Sequence, residues 1–393
     1  MKHFKTVFNA LKGLLLTAVV SFAAPISAEE VDFHVMDSVE ISLLTCQPHD
    51  EVYSLYGHTA IRYHDLRKGG LDVAFNYGVF DYKKPYFALR FVFGLTDYEL
   101  GCFPYKLFKE EYKYFGSKVT EQVLNLTSKE KMSLRLALAE NLLPENTVYR
   151  YNYFYNNCTT KARDIIEQCV NGKVEYTGRE GYTPTYRSIV HDMTKDNLWS
   201  RFGNDLLLGI KADQSINLRQ QEFLPNNLMY DFDHANIHAD DGSIRPLIKE
   251  CRTAVPAGVQ IVKSGFPLSP TAIAIIISVI GIIIFILEFK KRHAFLLWDI
   301  VLMLITGTIG CVLFLMLFSQ HPTVSLNLQF LLFNPLPFCF LWPVIRQRGR
   351  CYWQMTAVLT FLFAICGFFQ HYAEGIWCLA FCLLLQSYIH IKR

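Results

Sequence analysis

The stretch Tyr153-Phe154-Tyr155-Asn156-Asn157-Cys158-Thr159-Thr160-Lys161-Ala162-Arg163-Asp164 decides how the first two thirds of this 393-residue chain read. Cys158, Ala162, Ile165, Ile166 and Cys169 recur at i, i+4, i+7, i+8 and i+11, the apolar stripe of a helix that begins at Asn157. Cys158 therefore falls in a first helical turn, where unpaired N–H donors and the positive end of the helix dipole favour a thiolate. Its place on the apolar face also fits a buried core thiol or half of a disulfide. Cys169 cannot be its partner, because their spacing along one helix separates them by roughly 16 Å.

A nucleophilic thiol needs a proton acceptor and a polar group that orients it. Upstream, Ala60-Ile61-Arg62-Tyr63 and Val73-Ala74-Phe75-Asn76-Tyr77, joined through Arg67-Lys68-Gly69-Gly70, read as two strands. His58, in Tyr56-Gly57-His58-Thr59, heads the first strand, with a structural histidine as the competing reading; Gly57 permits close approach of another chain. Asn76 on the second strand, Asp72 and His64 are all placed to orient His58, and Asn76 is preferred. His34, His49, His58 and His64 show no recognised ligand spacing, so no metal is expected, and thiol chemistry of this kind implies no cofactor. Thr127-Ser128-Lys129-Glu130 resembles a capping box that opens a helix over Met132 to Leu143, ended by Pro144. A further helical zone runs from Tyr186 to Leu208.

Lys and Arg total 38 against 35 Asp and Glu, a net +3 that is too small for a nucleic-acid binder resting on phosphate neutralisation. Charged residues make up 19%, below the roughly 25% of soluble domains, and the apolar excess gathers at the C-terminal end. Five spans are expected there, at about 270–287, 296–318, 330–345, 352–369 and 376–391, the third broken by Asn334-Pro335 and Pro337. Lys290, Lys291 and Arg292, then Arg346, Arg348 and Arg350, then Lys392 and Arg393 fall in alternate connections, whereas 319–329 and 370–375 carry no Lys or Arg. The positive-inside rule then puts the N-terminal part outside and the C-terminus in the cytoplasm. Asp299 reads as an interfacial residue. The basic start, the apolar run from Leu14 to Ala24 and the small residues before Glu29 read as a signal peptide, 1–28, cut after Ala28. This leaves an extracytoplasmic domain at 29–265 and a membrane domain at 266–393. Of the eleven cysteines, Cys46, Cys102, Cys158, Cys169 and Cys251 precede the tail, and an odd count in an oxidising compartment leaves at least one thiol unpaired or paired to another chain.

The order of His on a strand, a polar residue on the next and Cys opening a later helix resembles a circularly permuted papain-like fold, related to the NlpC/P60 hydrolases. More closely, Tyr56-Gly57-His58, the run from Phe75 to Asp81, the run from Tyr153 to Asp164, and Phe223-Leu224-Pro225 are similar to the Lnb family of lipoprotein N-acyltransferases. The likeness covers nearly the whole chain, because that family pairs a periplasmic N-terminal domain with a multi-helix membrane tail. It implies an α+β permuted papain-like (NlpC/P60-related) periplasmic domain followed by an all-α membrane domain of about five transmembrane helices in the bacterial inner membrane. It also implies acyl transfer from a phospholipid donor to the N-terminal amine of a diacylated lipoprotein acceptor through a thioester at Cys158. His58 would be the acid and base, Asn76 its orienter, and first-turn N–H groups, including that of Cys158, would hold the oxyanion. Arg62, Lys161 and Arg163 could meet the lipid phosphate or form an ion-paired face. Two other classes stand beside this one: a membrane-tethered cysteine hydrolase of cell-wall peptides, and a non-catalytic periplasmic sensor or assembly factor.

Overall fold

The computed structural model describes residues 33–49, 54–81, 83–260 and 266–392. The expected signal peptide lies outside the described residues. The chain divides into two compact units: Met1–Ala88, Leu95–Thr183 and Ile216–Lys263 form one, and Leu89–Gly94, Pro184–Ser215 and Ser264–Arg393 form the other.

The first unit is built on β1 (Val39–Cys46), β2 (His58–Asp65), β3 (Asp72–Val79), β4 (Asp97–Pro104), β5 (Val119–Leu124) and β6 (Val148–Arg150). A small sheet holds β7 (Lys173–Glu175), β8 (Asn236–His238) and β9 (Ile244–Pro246), and β10 (Ile248–Val255) returns to the large sheet, whose order is β10-β5-β1-β2-β3-β4-β6. Every neighbouring pair in it is antiparallel. Alternation along the strands sorts the two faces. Val39, Ile41 and Leu43, Ile61 and Tyr63, and Val73, Phe75 and Tyr77 share one core with Leu134, Leu138, Ile165, Ile166, Leu228 and Phe232 from the helices Ser128–Asn141, Cys158–Cys169 and Pro225–Asp233. Leu44, Cys46, Ala60 and Ala74 face the other way, against Tyr105, Phe108 and Tyr112 of the Tyr105–Tyr114 helix.

The capping box expected before Met132 is present: Thr127 caps Ser128–Asn141, its N–H donating to Glu130 Oε2 at 2.7 Å. Two positions in the sheet shape the site. β2 and β3 pair only from Ile61↔Phe75 to His64↔Asp72, so His58 to Ala60 and Asn76 to Val79 lie beyond the shared ladder. Gly57 has φ +78° where a Cβ would stand 2.6 Å from the Cys46 carbonyl oxygen, and that turn delivers the chain to His58.

In the second unit, Pro270–Lys291, Leu296–Met316 and the broken helix Leu328–Ile345 are long and apolar enough to cross a membrane. Arg350–Cys366 and Ile376–Lys392 are apolar helices of 17 residues each, about 26 Å of rise against a hydrocarbon core of about 30 Å. The third span is interrupted where its prolines foretold, by a 3-10 turn over Leu328–Leu331 before Leu336–Ile345. Pro184–Ser215, expected within 29–265, belongs to this unit. Its two helices, Tyr186–Met193 and Leu198–Leu207, are held by buried Arg187, which bonds Asp205 and Asp213 at 2.8 Å each. Asp299, in the first turn of Leu296–Met316, is 1% exposed and accepts from Gln386 Nε2 at 2.7 Å, with His390 Nε2 at 3.0 Å. Its partners lie on the last helix, Ile376–Lys392, beyond the reach of any local sequence pattern.

Candidate active site

Cys158 is the first residue of its helix, and Asn157 is what places it there. The Asn157 Oδ1 accepts the N–H of Thr159 and of Thr160, both at 3.0 Å, while Thr160 Oγ1 takes the Asn157 N–H at 2.9 Å. Its Nδ2 donates to the carbonyls of Tyr153 and Phe223, both at 2.9 Å. The Asn157 amide is thus saturated and ties the helix start to two other segments. The helix packs on β2 and β3 where their ladder ends, with Thr159 Oγ1 3.1 Å from Thr59 Oγ1.

His58 and Asn76 meet at this point: His58 Nε2 lies 3.1 Å from Asn76 Oδ1. An amide oxygen can only accept, so Nε2 carries the proton and Nδ1 is left for the Cys158 thiol, which hydrogen-bonds the ring. Of the two other candidate orienters, Asp72 is engaged by Arg62 at 2.7 and 2.8 Å, and His64 stands 4.0 Å from Asp72. Neither bonds His58.

Electrostatics follow from this contact. Burial pushes the Cys158 thiol up, but the His58 charge, the His58 hydrogen bond, the Thr59 N–H and the Thr159 hydroxyl together outweigh it and bring it to about 7. Burial pushes His58 down, but the thiolate and the bonds to Cys158 and Asn76 lift it above its ordinary value. Opposite shifts in partners describe a thiolate–imidazolium pair that titrates as a unit. The remaining buried thiols of the sheet behave otherwise: burial pushes Cys102 up to about 12 and Cys46 well above the ordinary range. All eleven cysteines are free thiols, and no cluster of three metal-ligating side chains occurs among the described residues.

One expectation needs correction, and one choice between two readings is decided. The first-turn N–H groups do not all await an oxyanion, since those of Thr159 and Thr160 are spent on Asn157; among the described residues only the Cys158 N–H of that turn has no acceptor. Arg62 and Arg163 follow the ion-paired reading: Arg62 binds Asp72 and Glu121 and stacks 3.7 Å over Tyr105, and Arg163 binds Glu222 at 2.9 Å and Asp164 at 2.8 Å. Lys161 has no carboxylate partner among the described residues and sits 5.0 Å over the Tyr149 ring.

Sequence reasoning missed Gly78 and Tyr149. Gly78 has φ +101° at a bulge in β3, and a Cβ there would stand 3.8 Å from Cys158 Cβ and 3.9 Å from Tyr149 Oη. The Phe80, Tyr98 and Tyr151 rings stack beside it, at 4.9 and 4.0 Å. The run Asn76-Tyr77-Gly78-Val79 carried the signal for Gly78, a glycine inside a strand pattern.

Fold and site together define a class: a membrane protein in two parts, an antiparallel α/β part with a thiol–imidazole pair and a helical part with spans. Residues 31–192 match the Lnb N-terminal periplasmic domain, and residues 261–393 match the Lnb transmembrane domain. The chain belongs to the Lnb family, and its N-terminal part is periplasmic. The first match takes in Cys158, His58 and Asn76. Neither a curated protein nor a solved structure matches the chain.

Proposed function

We propose that this protein is a thiol acyltransferase of the bacterial inner membrane that moves a fatty acyl chain from a phospholipid to the N-terminal amine of a diacylated lipoprotein. The observation that carries the reading is the Cys158 thiol, brought to about 7 against its burial chiefly by the His58 charge and then by the His58 hydrogen bond, from a ring that Asn76 holds at 3.1 Å. A thiolate at that value is abundant at neutral pH and still a strong nucleophile.

The thiolate attacks the ester carbonyl of the phospholipid, and the carbonyl electron pair moves onto oxygen. Collapse expels the glycerol alkoxide of the lysophospholipid, which takes the proton of the His58 imidazolium, and the acyl chain remains on sulfur as a thioester. The lipoprotein α-amine then attacks the thioester, His58 removes its proton as the amide forms, and the thiolate is released against a fresh imidazolium. The arrangement of strand His, strand Asn and helix-opening Cys supports a permuted papain-like ancestry. Lys161, over the Tyr149 ring and without a carboxylate partner among the described residues, is a cation available for the lipid phosphate.

Five spans with the C-terminus in the cytoplasm fit the alternate basic connections. Within the second unit, Pro184–Ser215 bonds to both connections that lack Lys and Arg: the Ile210 N–H donates to the Leu326 carbonyl at 2.8 Å, and Gln370 Nε2 to the Leu208 carbonyl at 3.1 Å. Since the match to the periplasmic domain runs to residue 192, this supports a periplasmic place for both connections.

The test is mass spectrometry of lipoprotein N-terminal peptides from cells with the wild-type chain, without it, and with Cys158→Ala. N-acylated cysteine is expected only with the wild type. Equal N-acylation in all three would refute the function.

A further inference from the structure

The tetrahedral oxyanion of acyl transfer is ordinarily held by two donors, and at this site the first helical turn supplies one, the Cys158 N–H. A second donor should stand across the space that the carbonyl oxygen enters. That space lies over Gly78: its missing side chain leaves a point 3.8 Å from Cys158 Cβ, 3.9 Å from Tyr149 Oη and 3.9 Å from the Tyr98 ring. Tyr149, on β6, has its hydroxyl buried without a hydrogen-bond partner among the described residues, although a buried hydroxyl normally finds one.

We infer that Tyr149 is a catalytic residue, its hydroxyl donating to the oxyanion formed on the acyl carbonyl during both attack steps at Cys158. The inference rests on the acyl-transfer reading. The neighbours suit a donor. The ring is held edge to face against Tyr77 at 6.2 Å, with an interplanar angle of 72°, which fixes the hydroxyl's direction. Lys161 Nζ lies 5.0 Å over its face, and a cation on the π-face withdraws charge from the phenol and makes its O–H the better donor. Burial pushes Tyr149 well up, so the proton to be shared is present at every working pH. Gly78 completes the account, because a side chain there would occupy the oxygen's position. No bond to Tyr149 forms or breaks in the reaction. It donates while the negative charge is on oxygen and withdraws as the carbonyl reforms.

The experiment uses the full chain in detergent and two probes of one thiol. A p-nitrophenyl ester of a short fatty acid acylates Cys158 through an oxyanion and releases p-nitrophenolate in a burst. Iodoacetamide alkylates the same thiolate by displacement, with no oxyanion. Removal of one such donor typically slows acyl transfer about 100-fold or more. Tyr149→Phe keeps the ring and is expected to slow the burst by that factor while the alkylation rate and its pH profile stay at the wild-type level. Tyr77→Phe, a deletion of the neighbouring hydroxyl that accepts from Asn141 Nδ2 at 2.7 Å, is expected to leave the burst rate alone. A wild-type burst from Tyr149→Phe overturns the inference, as does an equal loss from both variants. A joint loss of burst and alkylation overturns it too, since Tyr149 would then shape the thiol–imidazole pair rather than meet the oxyanion. Alkylation without any burst in the wild-type protein is the distinct signature that the acyl-transfer reading has failed, and Tyr149's role with it.

Discussion

Asn76 Oδ1 accepts the Nε2–H of His58 at 3.1 Å, and this single bond selects which imidazole nitrogen meets Cys158. The ring could otherwise turn or change tautomer at little cost. Because Asn76 lies beyond the β2–β3 ladder, its side chain reaches His58 only where the two strands part.

Removal of the two partners should therefore cost unequally. His58→Ala takes away acid and base and should lower kcat by about 10²- to 10⁴-fold. Asn76→Ala leaves the ring in place and should cost less, with KM for phospholipid little changed. Steady-state acyl transfer by purified variants checks the order; a larger loss from Asn76→Ala would remove it from its orienting role.

The thiol's value gives a pH prediction. For an acid whose folded value is lowered, the reactive anion appears as pH rises through that value, so iodoacetamide alkylation of Cys158 should climb through about pH 7. A free thiol climbs near about 8.5. In His58→Ala the charge that lowers the thiol is gone while its burial stays, so the climb should move upward. A wild-type profile centred at the free-thiol value would exclude the ion pair.

Much of this arrangement could be read from the chain, and the unread parts share a cause. The helix at Cys158, its Asn cap position and the strands bearing His58 and Asn76 are written in local periodicity and capping residues, which act within a few positions. For Arg62 and Arg163 the sequence left a lipid contact and an ion-paired face both open, because Glu121 and Glu222, 59 residues away in each case, give no local sign that they are partners. Tyr149 sits on a three-residue edge strand that no pattern announces, and its nearness to Cys158 arises only when β3, β4 and β6 pair. In the membrane part hydropathy marks the apolar helices but not the Gln386 and His390 partners of Asp299, since hydropathy reports burial in lipid and not pairing within a bundle.

Asn157 supplies a substitution that separates folding from chemistry. Asn157→Ala loses a cap worth about 1 kcal/mol and should lower the melting temperature. Asn157→Asp keeps an oxygen for the Thr159 and Thr160 N–H groups but loses the donors to Tyr153 and Phe223 and puts an anion beside the thiolate. It should raise the alkylation midpoint above that of the wild type. An unchanged midpoint in Asn157→Asp would show that this amide bears on the fold alone.

The orientation of the membrane part is tested at Cys351, which is exposed and adjoins the basic run from Arg346 to Arg350. A membrane-impermeant thiol reagent added from the periplasmic side should leave it unlabelled until the membrane is breached, and a reporter fused after Arg393 should behave as cytoplasmic. A periplasmically active reporter there would refute the five-span order.

The last prediction concerns the intermediate. Transfer through sulfur requires that the acyl chain leave the phospholipid before the amine accepts it, so protein given phospholipid but no lipoprotein should accumulate a thioester on Cys158. Water competes for that thioester, and the Tyr98 ring, which stacks on Phe80 and on Tyr151, brings apolar surface to the Gly78 position beside Cys158. Neutral hydroxylamine cleaves thioesters and spares amides, which gives the adduct a chemical signature. Intact-mass analysis should therefore find an adduct one fatty acyl group heavier in the wild type, lost on hydroxylamine treatment and missing from Cys158→Ala. Phe80→Ala removes the ring stacked on Tyr98 and should shorten the adduct's lifetime without slowing its formation, which separates protection of the intermediate from its chemistry. Should an active preparation yield no adduct at all, the acyl chain must pass directly from phospholipid to amine, and Cys158 would have to act other than as the nucleophile.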